Sequence, residues 1–129
     1  MASCVIDASA VFVDLQGEPG AERARPWLRD AAISAVNLQE VVAKSVEKGV
    51  PADRVADLLG RLRLDVHPHD ETQAVAAGLL RTVTAAAGLS LGDRSCLALA
   101  ASLGLPAVTA DRAWLDVADA AGVEVISVR

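Results

Sequence analysis

A three-layer α/β/α sandwich around a mostly parallel, five-stranded sheet is the fold this sequence predicts. Three observations predict it. Short apolar runs alternate with helical patterns along the whole chain, the order that builds a parallel sheet through helical crossovers. The apolar runs are almost continuous in aliphatic residues, as strands covered by helices on both faces are. The 129 residues suit one domain, residues 1–129, with a core of its own, and no repeat, linker or low-complexity segment divides them.

The elements follow in order. "CVI" (4–6) reads as a buried strand that ends abruptly on Asp7. Ser9–Leu15 predicts a helix, closed by the turn residues "GEPG" at 17–20. Residues 21–31, with Trp27, predict a second short helix, and "AAIS" (31–34) a second strand. A strong helix over 36–48 ends at Gly49, a C-cap signal. Pro51 stands near the first turn of the next helix, 50–62. "LDVHP" (64–68) is the third strand, stopped by Pro68. Residues 70–87 predict one long Ala-rich helix ending at Gly88, and residues 90–104 another with its own terminal glycine. "PAVTA" (106–110) is the fourth strand, followed by a short helix through Trp114, and "VEVISV" (123–128) is the fifth.

Composition narrows the function classes. The chain is 53% hydrophobic, and its only aromatic residues are Phe12, Trp27 and Trp114. The core is therefore aliphatic, and stacking of bases on aromatic platforms is disfavoured. The net charge of −5 argues against a nonspecific nucleic-acid binder. Only Lys44 and Lys48 among the cations are lysines, however, and the arginines that make up the rest are the better phosphate forks. Cys4 and Cys96 both lie in apolar runs and read as buried, reduced thiols. No basic, apolar leader is legible at the N-terminus. The longest uncharged stretch, residues 95–110, is broken by Gly104 and Pro106 and is shorter than the ~20 residues that span a bilayer. A soluble cytoplasmic protein that does not enter a membrane is the expectation.

Four carboxylates stand in comparable places. Asp7 ends the first strand and Asp111 follows the fourth, each before a helical segment. Glu40 lies inside the helix "NLQEVV", on one face with Val36, Asn37, Val41 and Lys44. Asp93 opens the helix of "LSLGDRSCLALA", where a negative charge is favoured. Singly, Asp7 and Asp111 also read as helix caps, Asp93 as a first-turn acid and Glu40 as a surface partner of Lys44. Together they matter more, because parallel α/β sheets bind ligands outside the carboxyl ends of their strands. Two carboxylates ~4 Å apart repel by about 4 kcal/mol at an effective dielectric of 20. A hard divalent cation relieves that repulsion, and all-oxygen sites suit Mg2+ or Mn2+.

These blocks, "VIDASAV", "NLQEVV", "LSLGDRSCLALA" and "AVTADRAW", resemble the PIN domain, and in particular the VapC-type toxins of bacterial toxin–antitoxin pairs. The resemblance runs from the first strand to the last. It implies a Mg2+-dependent endoribonuclease whose acidic positions fall on Asp7, Glu40, Asp93 and Asp111. The hydroxyl positions near such a site match Ser9 and Thr109, and Asp116 is a further acidic candidate. It also implies products with a 5′-phosphate and a 3′-hydroxyl, a cognate VapB-type antitoxin and a homodimer. A non-catalytic PIN-like RNA- or protein-binding module is the alternative.

Among the cations, Arg23, Arg25, Arg61, Arg63, Arg94 and Arg112 are candidates for phosphate contacts, and Arg94 and Arg112 directly follow site acids. "HPH" (67–69) imitates a metal pair but lacks a third ligand nearby. Trp114 reads as core. A receiver-type signalling domain needs paired acids after the first strand, and an aspartyl phosphatase needs an acid where this chain has Ser9.

Overall fold

Five strands form one sheet in the computed structural model, which describes all 129 residues: Cys4–Ile6 (β1), Ala31–Ser34 (β2), Asp65–His67 (β3), Ala107–Thr109 (β4) and Val125–Ser127 (β5). Their order is β3-β2-β1-β4-β5 and every neighbouring pair is parallel. The helices are Ala8–Leu15 (α1), Ala21–Leu28 (α2), Ala35–Glu47 (α3), Ala52–Leu62 (α4), Glu71–Leu79 (α5), Arg81–Thr84 (α6), Leu91–Leu103 (α7) and Ala118–Ala121 (α8), with 3-10 turns at Ala85–Ala87 and Arg112–Asp116.

Strand periodicity sorts the core into two halves. Cys4, Ile6, Ala31, Ile33 and Val108 point to the face covered by α1, α2 and Val41 of α3. Val5, Ala32 and Ala107 point to the opposite face, against Cys96, Leu97, Leu99 and Ala100 of α7 and against Trp114. Helices on both sheet faces make the predicted sandwich. Trp114 is fully buried and belongs to the core, as its place in the sequence predicts. Cys4 and Cys96 are buried free thiols.

Three departures from the sequence reading have local causes. The long helix predicted over 70–87 breaks at Leu80 into α5, α6 and a 3-10 turn. Thr82 and Thr84 donate their hydroxyls to the carbonyls of Leu79 and Leu80, each at 2.9 Å, and so draw on the ladder's acceptors. The helix predicted to reach residue 31 stops at Leu28, because the Asp30 carbonyl accepts from the backbone and hydroxyl of Ser3 and starts the sheet. The third strand is not covered on both faces: β3 is an edge strand with Asp65 and Val66 exposed. His67 lies there with its Nε2 2.9 Å from Asp65.

Candidate active site

β1 sits in the middle of the sheet. The chain builds outward from it to β2 and β3, then returns to its other side for β4 and β5. The strand order therefore reverses between β1 and β4, the place where parallel α/β sheets open a crevice. Asp7 leaves β1 at that point, and Thr109 ends β4 beside it, with Asp111 two residues further on.

Asp7 is 4% exposed and every hydrogen bond it accepts is short. Its Oδ1 accepts from the Ala10 backbone at 2.9 Å, which caps α1, and from the Ser9 hydroxyl at 2.8 Å. Its Oδ2 accepts from the Thr109 hydroxyl at 2.7 Å and from Ser9 at 2.9 Å. The two hydroxyls are held in turn. Ser9 Oγ accepts from the Ala110 backbone at 3.0 Å, and Thr109 Oγ1 from the Asp111 backbone at 3.1 Å. Two backbone N–H groups thus polarise two hydroxyls toward one carboxylate. Even so, burial pushes the Asp7 carboxyl up to about 6; the bonds from Ala10, Thr109 and Ser9 oppose the rise and the charge of Asp93 adds to it.

Asp93 and Asp111 carry out their capping roles and keep an oxygen in reserve. Asp93 Oδ2 accepts from the Ser90 backbone at 2.8 Å, and the Asp93 backbone donates to Ser90 Oγ at 3.2 Å, a reciprocal capping box. Asp111 Oδ1 accepts from the Ala113 backbone at 2.9 Å and starts the 3-10 turn. Glu40 is not paired with Lys44, as its sequence spacing also allows. Its Oε1 accepts instead from Nδ2 of the buried Asn37 at 2.9 Å. Asp93 Oδ1, Asp111 Oδ2 and Glu40 Oε2 have no hydrogen-bond partner in the protein.

Asp7, Asp93 and Glu40 all act on one group of α7, the buried Cys96 thiol. After burial itself, their charges hold it well above the ordinary thiol range. Asp111 is linked to Asp7 through Thr109, whose hydroxyl donates to Asp7 and accepts from the Asp111 backbone. No three of the acids are already drawn into a metal-ligating cluster. Asp116 ends the 3-10 turn, exposed, with no hydrogen bond to the other candidates.

An open cleft of about 510 Å3 runs from Ser9 and Asp111 across α3. Lys44, Lys48, Arg112 and Arg129 line it, against Glu18 and Asp111. Arg129 pairs with Glu18 at 2.6 Å. With its amide turned to satisfy both neighbours, Gln16 donates to Glu18 and accepts from Lys48 Nζ at 3.0 Å. Lys44 and Arg112 have no carboxylate partner. Of the two arginines that follow site acids, only Arg112 reaches the cleft; Arg94 is half-buried and donates to the Leu89 carbonyl at 3.0 Å. Lys44 and Lys48 are missing from the phosphate candidates read from sequence. Their signal is the continuation of the Glu40 face by one and two turns of α3.

The sequence profile of the PIN domain family matches residues 4–120. Among solved structures, the chain is similar to a DNA-bound VapBC from Salmonella typhimurium, with 24% identity, full coverage of both chains and a TM-score of 0.74. It is similar to a toxin–antitoxin complex from Klebsiella pneumoniae, with 19% identity, 98% of each chain covered and a TM-score of 0.75. It is also similar to VapBC-5 from Mycobacterium tuberculosis, with 27% identity, 97% of this chain and 98% of that chain covered and a TM-score of 0.64. No curated protein sequence matches the chain significantly.

Proposed function

The chain belongs to the PIN domain family, and from that premise we propose that it is a divalent-metal-dependent endoribonuclease, the toxin of a VapBC-type pair. One observation carries the reading. Buried Asp7 stands at the switch point of the sheet, held by Ser9 and Thr109 and within reach of the charge of Asp93, while Glu40, Asp93 and Asp111 each keep an oxygen with no protein partner.

The donor set fits Mg2+ or Mn2+. It is all oxygen, it concentrates negative charge, and Mg2+ keeps several waters and needs only one or two protein carboxylates. Glu40, Asp93 and Asp111 are the proposed ligands through their unbonded oxygens, with Asp7 as the central carboxylate. Such an ion, when bound, lowers the pKa of a coordinated water and offsets charge on the attacked phosphate. The protein's own part is positional. Ser9 and Thr109 fix the Asp7 carboxylate through both of its oxygens. The cleft beside Asp111 offers Lys44 and Arg112 to the neighbouring phosphates of a single strand. Hydrolysis then leaves a 5′-phosphate and a 3′-hydroxyl.

The similar structures are VapBC or toxin–antitoxin complexes, which supports an antitoxin for this chain too; the acidic side chains would receive a basic residue of that partner, and the family resemblance implies a homodimer as the assembled form. No helix is long and apolar enough to cross a membrane.

Incubation of the purified protein with single-stranded RNA tests the reading. Cleavage is expected with MgCl2 or MnCl2 and is expected to stop with EDTA, with 5′-phosphates on the new ends. RNA left intact under every metal condition overturns it in favour of a binding module.

The cleft has its own prediction. The double substitution Lys44→Ala/Arg112→Ala is expected to raise KM for RNA about tenfold while leaving kcat unchanged. Each lost phosphate contact should flatten the log–log salt dependence of binding by about 0.7. Fluorescence anisotropy of labelled RNA across a salt series reads both, and an unchanged slope removes these cations from the RNA path.

A further inference from the structure

Gly92, in the first turn of α7, is not required by its backbone, which has no positive φ. Space requires it. A Cβ at Gly92 would stand 2.8 Å from Glu40 Cδ and 3.1 Å from Oε2, and closer still to Oε1. The carboxylate of α3 therefore lies in the room that the missing side chain of α7 leaves.

Asn37 completes the arrangement. It is 1% exposed, one turn before Glu40. Its Nδ2 donates to Glu40 Oε1 at 2.9 Å and to the Gly92 carbonyl at 3.0 Å. Its Oδ1 is buried without a partner. The reverse amide orientation would aim that oxygen at two acceptors, so the two bonds fix the side chain. An aliphatic residue would fill the same volume without leaving a buried acceptor unmet, and packing alone gives no reason for an amide.

We propose that Asn37 and Gly92 are positioning residues for Glu40: the amide bonds Oε1 and the glycine provides the berth, so that Oε2 faces the crevice ready to bind a metal. The proposal rests on the metal-dependent nuclease reading above. The atoms a Cβ at Gly92 would displace are the end of the Glu40 side chain, so its substitution is expected to disturb the site rather than the fold.

The test uses the full chain as wild type, Gly92→Ala and Asn37→Ala. Mn2+ binding is followed by the electron paramagnetic resonance of the free ion, beside thermal melts and steady-state RNA cleavage. Gly92→Ala is expected to melt with the wild type, because the atoms it displaces end a flexible side chain. Its Mn2+ affinity is expected to fall about 10–100-fold, and kcat to fall with it while KM for RNA holds. Asn37→Ala is expected to lose Mn2+ affinity to the same degree. Wild-type Mn2+ affinity and kcat in Gly92→Ala overturn the proposal, as does a Gly92→Ala protein that melts far below the wild type. A wild type that neither binds Mn2+ nor cleaves RNA overturns the nuclease reading and the positioning together. Wild-type activity shared equally by both variants overturns the positioning alone.

Discussion

Asp7→Asn is expected to stabilise the protein at neutral pH and to abolish RNA cleavage at once. The usual carboxyl pKa of 3.8 is raised to about 6 in the fold, by burial first, against hydrogen bonds from Ala10, Thr109 and Ser9, and with the charge of Asp93. A carboxyl whose folded pKa lies above its unfolded one takes up a proton on folding between the two values. Its penalty is absent below about pH 3.8 and complete above about pH 6. That separation is worth about 3 kcal/mol at most. Asparagine keeps an acceptor for the Ala10 backbone, and the Thr109 hydroxyl can turn to accept from the new amide. A net gain of about 1–3 kcal/mol follows, which for a chain of this length raises Tm by about 4–10 °C. The wild type should lose stability as pH rises from about 4 to about 6, and Asp7→Asn should not. A divalent cation offsets the same charge, so MnCl2 is expected to raise the Tm of the wild type and to leave the variant where it is. Calorimetry across that pH range decides the matter; an Asp7→Asn protein that melts at or below the wild type near pH 7.5 sinks the account of Asp7 as a costly buried charge.

What could be read from the sequence follows the range of the interactions involved. Asp7 and Asp111 were legible because a strand that ends on an acid is a local pattern, and parallel sheets put those ends together. The sorting of Cys4 and Ile6 from Val5 needs only the two-residue period of a strand. The break at Leu80 is local too, carried by Thr82 and Thr84, but helix propensity read over the Ala-rich stretch hides it. Glu40 is different. Its spacing allows Asn37 and Lys44 equally, and the choice depends on α7 crossing α3 at Gly92, far away in sequence. The cleft shares that character. Lys44 of α3, Lys48 at its C-cap, Arg112 and the terminal Arg129 become neighbours only once the sheet is assembled, whereas Arg94, adjacent to a site acid, turns back to the Leu89 carbonyl.

Asp93→Asn is expected to cost as much activity as Asp7→Asn with a different thermodynamic signature. Asp93 joins two tasks on one side chain. Its Oδ2 closes the capping box with Ser90, and its Oδ1 has no protein partner and is the proposed metal ligand. Asparagine keeps an acceptor for the Ser90 backbone, so α7 still starts at the same residue. The lost charge removes about 0.3–1 kcal/mol of favourable interaction with the helix N-terminus. Relief of the repulsion between Asp93 and Asp7 works the other way. Stability is therefore expected to stay within about 1 kcal/mol of the wild type, a change of a few degrees in Tm, with an unchanged circular dichroism spectrum. Cleavage is expected to fall by more than the about 10–100-fold that disturbing a metal ligand's neighbours costs. The carboxyl of Asp7 supplies a further readout. Asp93 is one of the groups that raise it, so in Asp93→Asn the pH at which the wild type loses stability should move toward acid. The two substitutions are both isosteric, yet one removes a buried charge and the other a capping charge. Equal loss of cleavage with unequal effects on Tm assigns both carboxylates to one site by chemistry rather than by folding, and full activity in Asp93→Asn overturns that assignment.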